Sequence, residues 1–330
     1  MSDSAMPVTA QTLAGAVRAA FGTDQRVVSL TRLPGGSRKG AYRLRLADDS
    51  TAVAYVWDDA ENYWPDSGPG NDDADPFAPA TGHALFESAH RHLRAVDVRI
   101  PELYLSDDTH TYFPADLAIV EDIRGPGLAT ILRERAQRAT PIMDRLAAAL
   151  DRMHAQTSPA FGRPSAIARG RLPDAESCEE LVFDRARTDL AEAADREPSI
   201  AAAHDRLAEA LAALRAAVAP RTRYALIHGE LGPEHVLVDA HDEPVLIDIE
   251  GLMFFDAEWE HVFLRLRYED YYSHLQSRDL DDARMAFYSL AMHLSLVAGP
   301  LRLLDGDFTD RGAMRGIIDH NLGKALRFAA

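Results

Sequence analysis

Short runs of apolar residues in the first third of the chain predict a small β-sheet. AYRLRL, from residue 41, alternates apolar and polar positions, and the flanking segments VVSLTRL and TAVAYVW have a similar strand-like composition. A glycine loop and a tight polar turn separate these three segments, and strand-like ELYLS and DLAIVEDI follow further along. Alternation of this kind is typical of antiparallel strands with one solvated face. The pattern therefore predicts a mainly antiparallel sheet.

Apolar residues at spacings of three and four predict helices in most of the remaining chain. The predicted helices cover residues 9–22, 83–96, 128–137, 141–156 and 176–219, and others run from about residue 251 to the end with a break near 304–307. Residues 58–82 are rich in Asp, Pro and Gly, which predicts a long exposed loop.

A strand–turn–strand module interrupts the helical pattern at residues 224–250. We therefore predict an α+β chain, with a small antiparallel β lobe over residues 1–122 and a larger, mainly helical lobe over 123–330 that carries this β-hairpin. Two lobes joined near residues 121–127 would leave a cleft between them, and clefts of that kind are common ligand sites.

The charge of the chain restricts the class of partner. The formal net charge over 330 residues is −17. Nucleic acid is not expected to bind, because its phosphate backbone would be repelled. A cationic small molecule would be attracted instead. The alternative interpretation is an acidic surface that only improves solubility.

Cysteine content and the apolar runs indicate the compartment. The single cysteine, Cys178, excludes an intramolecular disulfide and fits a reducing cytoplasm. The first residues lack the charged and apolar regions of a signal peptide. No apolar run approaches the roughly 20 residues that a membrane helix needs. We therefore expect a cytoplasmic protein that does not bind a membrane, and we predict no oligomeric state.

Polar side chains stand at the edges of the strands in the 224–250 module. Glu230 follows the first strand, His235 precedes the next, and Asp248 and Glu250 end the last. A tight turn can bring Asp248 within reach of His235, which gives oxygen and nitrogen ligands for a divalent cation. Mg²⁺ often binds one or two carboxylates together with substrate phosphates. Glu230, displaced from that pair, could accept a proton from a substrate hydroxyl.

A glycine-rich loop lies between the first two predicted strands. It consists of Gly35, Gly36, Ser37, Arg38 and Lys39, and Gly40 follows. Glycines allow a backbone to approach phosphates closely, and Arg38 and Lys39 add positive charge. Alone, the loop is equally consistent with an ordinary hairpin turn. Together with the acidic hairpin far downstream, the loop favours phosphate binding over an ordinary hairpin turn.

These segments resemble a known enzyme family. The pattern H-G-x-L followed by V-L-V, a short turn and L-I-D is similar to the catalytic signature of aminoglycoside phosphotransferases and related small-molecule kinases. GGSRKGAYRL resembles the nucleotide loop of that family, and AIVEDIRGPGL resembles its adenine-binding linker. LAAALDRMHAQ resembles the helix that precedes the catalytic region. The resemblance implies the bilobal protein-kinase-like fold.

The resemblance also implies roles for individual residues. His228 would shape the catalytic loop, Glu230 would orient the acceptor hydroxyl, and Asp256 and Glu260 would support the loop. The implied metal ligands are His235 and Asp248, to which we add Glu250. The implied nucleotide-binding residues are Gly35, Gly36, Ser37, Arg38, Lys39, Tyr55, Glu87, Glu121 and Ile123. Among them, Glu87 matches the acid that pairs with the strand lysine in the family.

Three positions depart from the family pattern. Tyr55 stands where the family has a strand lysine, and a neutral phenol cannot replace an ammonium facing the phosphates. Arg38 or Lys39 could supply that charge from the loop. Glu230 replaces an Asp and His235 replaces an Asn, and imidazole suits Mg²⁺ less well than softer cations. These departures could mean altered chemistry or lost chemistry.

The leading functional hypothesis is a kinase that moves the γ-phosphate of ATP or GTP, with Mg²⁺ or Mn²⁺, to a hydroxyl of a small molecule. The acceptor would be an aminoglycoside-like antibiotic or another natural product. One alternative is a non-catalytic binding protein of pseudokinase type. The other is an enzyme that transfers AMP instead of a phosphoryl group.

Overall fold

A computed structural model describes residues 6–34, 38–62, 74–134, 136–306, 308 and 310–329. The described residues pack as two units. The first unit falls within residues 1–64, 79–149 and 233–251, and the second within 65–78, 150–232 and 252–330. The boundary between residues 122 and 123 stays a prediction.

The helices, in chain order, are α1 Ala14–Phe21, α2 His83–Ala95, α3 Leu128–Glu134, α4 Ala136–Ala155, α5 Pro164–Ala168, α6 Cys178–Ala194, α7 Pro198–Ala216, α8 Ala257–Tyr268, α9 Tyr272–Leu275, α10 Asp282–Leu304 and α11 Arg311–Leu326. The strands are β1 Val27–Arg32, β2 Gly40–Leu46, β3 Thr51–Trp57, β4 Leu103–Asp107, β5 Asp116–Glu121, β6 Thr157–Ser158, β7 Tyr224–Ile227, β8 Val236–Val238, β9 Pro244–Leu246 and β10 Met253–Phe255. Short 3₁₀ helices are Asp59–Glu61, Pro233–His235, Ile249–Gly251, Glu269–Tyr271 and Arg327–Ala329.

The first unit contains a five-stranded sheet in the order β1-β2-β3-β5-β4. Every neighbouring pair is antiparallel, as the alternating pattern predicts. Burial in β2 alternates along the strand, so that Leu44 and Leu46 are inside and Arg45 is exposed. Leu13 and Val17, in and before α1, pack with these leucines in one core cluster. Burial of an apolar side chain of this size contributes about 1.5–3 kcal/mol.

The hairpin of β8 and β9 belongs to this same unit. Val236 pairs with Leu246, and the backbone N–H of Leu246 donates to the carbonyl oxygen of Arg99 at 2.9 Å. An isolated bridge joins Gly127 to Leu237. The hairpin is therefore fixed by backbone hydrogen bonds on both of its edges, which restricts where the residues that follow β9 can lie.

One glycine is required by this close packing. A Cβ atom at Gly125 would lie 1.6 Å from the carbonyl oxygen of Val238, whereas a Cβ atom at Gly127 would meet its nearest neighbour, the carbonyl oxygen of Val236, at 4.0 Å. We therefore expect Gly125→Ala to lower the free energy of unfolding by about 1–3 kcal/mol, because backbone must move. Urea denaturation measures this. Gly127→Ala is the matched control, and equal midpoints for the two variants would contradict the prediction.

The second unit is mainly helical. Helix α10 packs against α6, α8 and α11, and a three-stranded sheet in the order β10-β7-β6 lies in the same unit. By length and composition α10 could cross a membrane, which corrects the expectation that no apolar run has that length. However, 72% of its apolar window is buried within the protein, as in the core helix of a globular unit.

Candidate functional site

The predicted site residues fall into two clusters, one in each unit. We call the first the hairpin cluster, which comprises Lys39, Tyr55, His235, Asp248 and Glu250. We call the second the loop cluster, which comprises His154, His228, Gly229, Glu230 and Glu260.

Backbone geometry at the end of the hairpin determines where Asp248 lies. The N–H of Ile247 donates to the carbonyl oxygen of His235 at 3.0 Å, and β9 has already ended at Leu246. Asp248 then adopts a left-handed conformation with φ of 58°, which an Asp tolerates better than most residues. Its side chain is 49% exposed. Asp248 and Glu250 therefore do not end the last strand as predicted, because β9 is shorter than its apolar run.

A lysine ammonium holds two carboxylates of the hairpin cluster together. Lys39 immediately precedes β2 and is only 8% exposed. Its Nζ donates to Oδ1 of Asp248 at 2.9 Å and also to Oε1 of Glu250. Burial alone would lower the pKa of Lys39, but the carboxylates of Glu250 and Asp248 outweigh burial and raise it above the ordinary value. Lys39 is therefore positively charged in this site.

Tyr55 supplies an aromatic face beside that ammonium. Lys39 Nζ lies 5.1 Å from the centroid of the Tyr55 ring. The ring packs edge to face against Trp57 and Phe86. Burial raises the pKa of Tyr55 to about 12, so the phenol is neutral at physiological pH. The residue at the expected lysine position thus contributes a cation–π contact and no charge.

Glu250 is the most buried of the three predicted metal ligands. Its side chain is 4% exposed and pairs with Lys39. Its second oxygen, Oε2, is buried without a hydrogen-bond partner among the residues that the structure describes. His235 Nε2, in contrast, lies 3.5 Å from Oδ2 of Asp248. The turn therefore brings His235 and Asp248 together.

The side chains of the hairpin cluster do not surround a metal ion with three ligands. In the described parts of the chain, no three His, Cys, Asp or Glu side chains are grouped so as to hold one. His235, Asp248 and Glu250 thus do not form a three-ligand site. Asp248 and His235 remain as one carboxylate and one imidazole side by side. This pair suits a cation that keeps several water ligands and is also coordinated by the phosphate oxygens of a substrate.

The remaining predicted nucleotide-binding residues have varied surroundings. Gly35, Gly36 and Ser37 lie outside the residues that the structure describes. Arg38 is half-buried, and its carbonyl oxygen accepts a hydrogen bond from Thr81 Oγ1 at 3.2 Å. Arg38 is therefore tied to Thr81 just before β2 begins.

Glu87, Glu121 and Ile123 do not contact Lys39. Glu87 lies in α2 and pairs with Arg91 one turn later at 3.7 Å. Glu121 ends β5 and pairs with Arg99 at 2.7 Å. Ile123 is buried, with 7% of its surface exposed. The acid that holds the lysine is Glu250, not Glu87.

In the second unit, a buried carboxylate holds the loop after β7. Oε1 of Glu260 accepts hydrogen bonds from the backbone N–H groups of His228 and Gly229, at 2.7 and 3.3 Å. Oε2 of Glu260 lies 2.7 Å from His154 Nε2. Gly229 adopts a φ of 94°, a conformation that favours glycine. Glu230, the next residue, is exposed. The backbone before Glu230 is thus fixed while its side chain faces solvent.

The ionisation of this cluster follows from its burial. Burial would raise the pKa of Glu260, but the hydrogen bond and charge of His154 outweigh burial and lower it below the ordinary value. Burial lowers the pKa of His261, which stacks edge to face on His154, to about 4. Glu260 is therefore ionised and His261 neutral at physiological pH.

Sequence reasoning missed a buried ion cluster beside this loop. Arg284 in α10 pairs with Asp256 and with Glu179, and all three side chains are buried. Asp256 lies at the start of α8, two residues before Glu258, which pairs with Arg221 at 2.7 Å. No local pattern marks these partners, since they come from separate helices and loops.

Comparison with known proteins decides the family. Residues 31–309 match the model of a family described as the phosphotransferase enzyme family, APH. The chain belongs to this family. Its members are phosphotransferases, and the resemblance drawn from the hairpin and glycine loop is confirmed. Among curated protein sequences, none matches this chain.

Solved structures share the fold of this chain. The spectinomycin phosphotransferase APH(9)-Ia, in complex with ADP and spectinomycin, has a TM-score of 0.66 and 15% identity, with 98% of each chain covered. The aminoglycoside phosphotransferase APH(4)-Ia has a TM-score of 0.61 and 17% identity, covering 98% of this chain and 100% of that one. LicA in complex with AMP has a TM-score of 0.57 and 14% identity, covering 96% and 98%. The predicted α+β, protein-kinase-like fold class is confirmed.

Proposed function

We propose that this phosphotransferase moves the γ-phosphoryl group of ATP or GTP to a hydroxyl of a small molecule. The observation that carries the proposal is the arrangement of Asp248 in a chain of this family. Asp248 presents a half-exposed carboxylate from a constrained turn, next to His235 and the buried cation of Lys39. Fixed charges of this kind suit phosphoryl transfer, where positioning and charge stabilisation supply most of the catalysis.

Asp248 and His235 would hold Mg²⁺ or Mn²⁺. The metal would neutralise charge on the nucleotide phosphates. Asp248 contributes the hard oxygen ligand that Mg²⁺ prefers, and its orientation is limited by Lys39 on one oxygen and His235 on the other. Imidazole at residue 235 favours a somewhat softer ion, so Mn²⁺ is expected to serve at least as well as Mg²⁺.

Glu230 would act on the acceptor. Its exposed carboxylate follows a loop whose backbone is held by Glu260, so it can orient a hydroxyl without itself being buried. As the bond from the acceptor oxygen to the γ-phosphorus forms, the bond from that phosphorus to the β,γ-bridging oxygen breaks. The hydroxyl proton passes to Glu230, and the nucleoside diphosphate leaves.

The proposed ligands agree with the structural relatives and with the charge of the chain. One relative was crystallised with ADP and spectinomycin, and another with AMP. A net charge of −17 would attract a cationic acceptor, such as an aminoglycoside-like natural product. Nucleotide type, acceptor identity and a cytoplasmic location are parts of this proposal.

A second candidate is a nucleotide-binding protein that does not catalyse transfer. The observation that favours it is the contact of Lys39 with both Asp248 and Glu250, which occupies two of the predicted metal ligands with an internal cation. Glu230 and His235, which depart from the family residues at two signature positions, also favour the non-catalytic candidate.

Calorimetry and product mass spectrometry test the proposal together. We expect ATP or GTP to bind in the presence of Mg²⁺ or Mn²⁺, and a panel of hydroxylated amines to include one that gains a single phosphoryl group. Gain of a nucleotidyl group would instead identify AMP transfer. Nucleotide binding without any product across the panel would favour the non-catalytic candidate, and absence of binding under every metal would contradict the proposed function.

A further inference from the structure

We propose that Lys39 is the cation that binds the nucleotide phosphates, and that buried Glu250 is the carboxylate that holds it in place. In this arrangement the phosphate-binding lysine comes from the start of β2 and not from β3. The inference rests on the proposed function and specifies how the site is built.

Pairing between β2 and β3 places the Lys39 ammonium beside residue 55, the position where the family has its strand lysine. Gly40 pairs with Val56 and Ala41 with Tyr55, so Lys39 lies beside the end of β3. Its Nζ lies 5.1 Å from the centroid of the Tyr55 ring. A side chain from residue 55 and the side chain of Lys39 therefore reach the same region, next to Asp248, from neighbouring strands.

The acidic partner of the lysine also differs from the one in protein kinases. In protein kinases, an ion pair between a lysine on β3 and a glutamate on a helix must be in place for phosphate binding. Here Glu87 in α2 pairs with Arg91, whereas Glu250 is buried and pairs with Lys39. A buried carboxylate is costly unless it is paired, so Glu250 fixes the lysine strongly.

Lys39 keeps bonding capacity for a ligand. An ammonium has three N–H donors. In the described part of the chain, Lys39 donates to Asp248 Oδ1 and Glu250 Oε1, which leaves one donor for a phosphate oxygen. The exposed carboxylate of Asp248 shows that solvent, and hence a ligand, can approach this side of the cluster.

Calorimetry with two ligands isolates the contribution of the phosphates. We expect Lys39→Met to weaken ATP binding by about 10- to 100-fold, as for loss of a charge-assisted hydrogen bond, and to leave adenosine binding unchanged. Lys324→Met is the matched control, because Lys324 in α11 is the only other lysine in the sequence. Its ATP affinity should equal that of the unmodified protein.

Two further variants separate phosphate binding from folding. Lys39→Met with Glu250→Gln leaves no unpaired buried charge, and we expect it to fold and still bind ATP weakly. Lys39→Met with Tyr55→Lys returns an ammonium to the same region, and we expect it to recover part of the ATP affinity. Unchanged ATP affinity in Lys39→Met alone and in Lys39→Met with Glu250→Gln would overturn the inference while the proposed function stands. Absence of ATP binding by the unmodified protein would overturn both.

Discussion

Replacing Asp248 with asparagine is expected to reduce phosphoryl transfer by about 1000-fold or more while the protein stays folded. The substitution removes the one exposed carboxylate of the hairpin cluster, and charge stabilisation by a bound metal is worth several kcal/mol in the transition state. Asparagine tolerates the left-handed backbone at this position. Lys39 keeps its partner Glu250, so no buried charge is left alone. Steady-state kinetics with the best acceptor of the panel measures the loss.

The hairpin itself offers the matched control. Asp242 also has a left-handed backbone, with φ of 60°, and pairs with Arg138 on the surface of the first unit. Asp242→Asn makes the same chemical change in the same hairpin, and we expect kcat to stay within about twofold, because exposed ion pairs contribute little. Equal activity of the two variants would show that residue 248 is not a metal ligand. Loss of secondary structure in Asp248→Asn would show that its role is in folding.

The sheet could be predicted because its signal is local. Alternation in residues 41–46 gives the same inside and outside pattern that β2 has in the structure. Helix ends were less predictable: residues 9–22 were expected to be helical, but α1 begins at Ala14. Thr9 and Thr12 bond to each other and to nearby backbone, and such local bonds compete with helix formation.

The hairpin cluster could be predicted only in part, because only some of its contacts join residues that are close in the sequence. His235 and Asp248 flank a short two-stranded hairpin, so their proximity follows from pairing between neighbours in the sequence. The contact between Lys39 and Glu250 joins residues 211 positions apart. Nothing in the sequence around either residue indicates that Glu250, and not Glu87, holds the lysine. That choice depends on tertiary packing.

Contacts within the second unit show the same limit. The resemblance implied that Asp256 and Glu260 support the catalytic loop, and Glu260 does bond to the backbone of His228. Asp256 instead pairs with Arg284, which no motif marks. Long Ala- and Arg-rich helices give similar patterns on several faces, so the sequence does not identify which arginine is buried. The burial of Arg284 could therefore not be predicted.

Arg284→Met is expected to cost about 3–5 kcal/mol of unfolding free energy, the largest stability effect that we predict. Arg284 is 2% exposed and contacts Asp256, Glu179 and the carbonyl oxygen of Ala219. Methionine fills much of the same volume but leaves two buried carboxylates without their shared cation. Tyr288 still donates to Asp256 Oδ2 at 2.5 Å, which offsets part of the loss. Urea unfolding followed by tryptophan fluorescence gives the free energy.

Arg315→Met is the matched control in the same unit. Arg315 pairs with Glu197 at 2.7 Å, but its side chain is 52% exposed. Loss of an exposed pair is expected to cost at most about 1 kcal/mol. A similar loss of stability in both variants would mean that the change to methionine itself, and not the loss of a cation between buried carboxylates, lowers the free energy of unfolding.

The pH dependence of Arg284→Met identifies the cause of its instability. Burial already raises the pKa of Asp256 in the intact protein, and Arg284 opposes that rise. Without Arg284 the folded-state pKa rises further above the unfolded value. A raised pKa gives stability that is present below the unfolded pKa and is lost as pH rises through the folded pKa. The stability deficit of the variant should therefore shrink as the pH falls through the raised pKa of Asp256 toward its unfolded value. A deficit that is constant as the pH falls would mean that lost packing, and not the loss of the Arg284 cation beside Asp256, destabilises the variant.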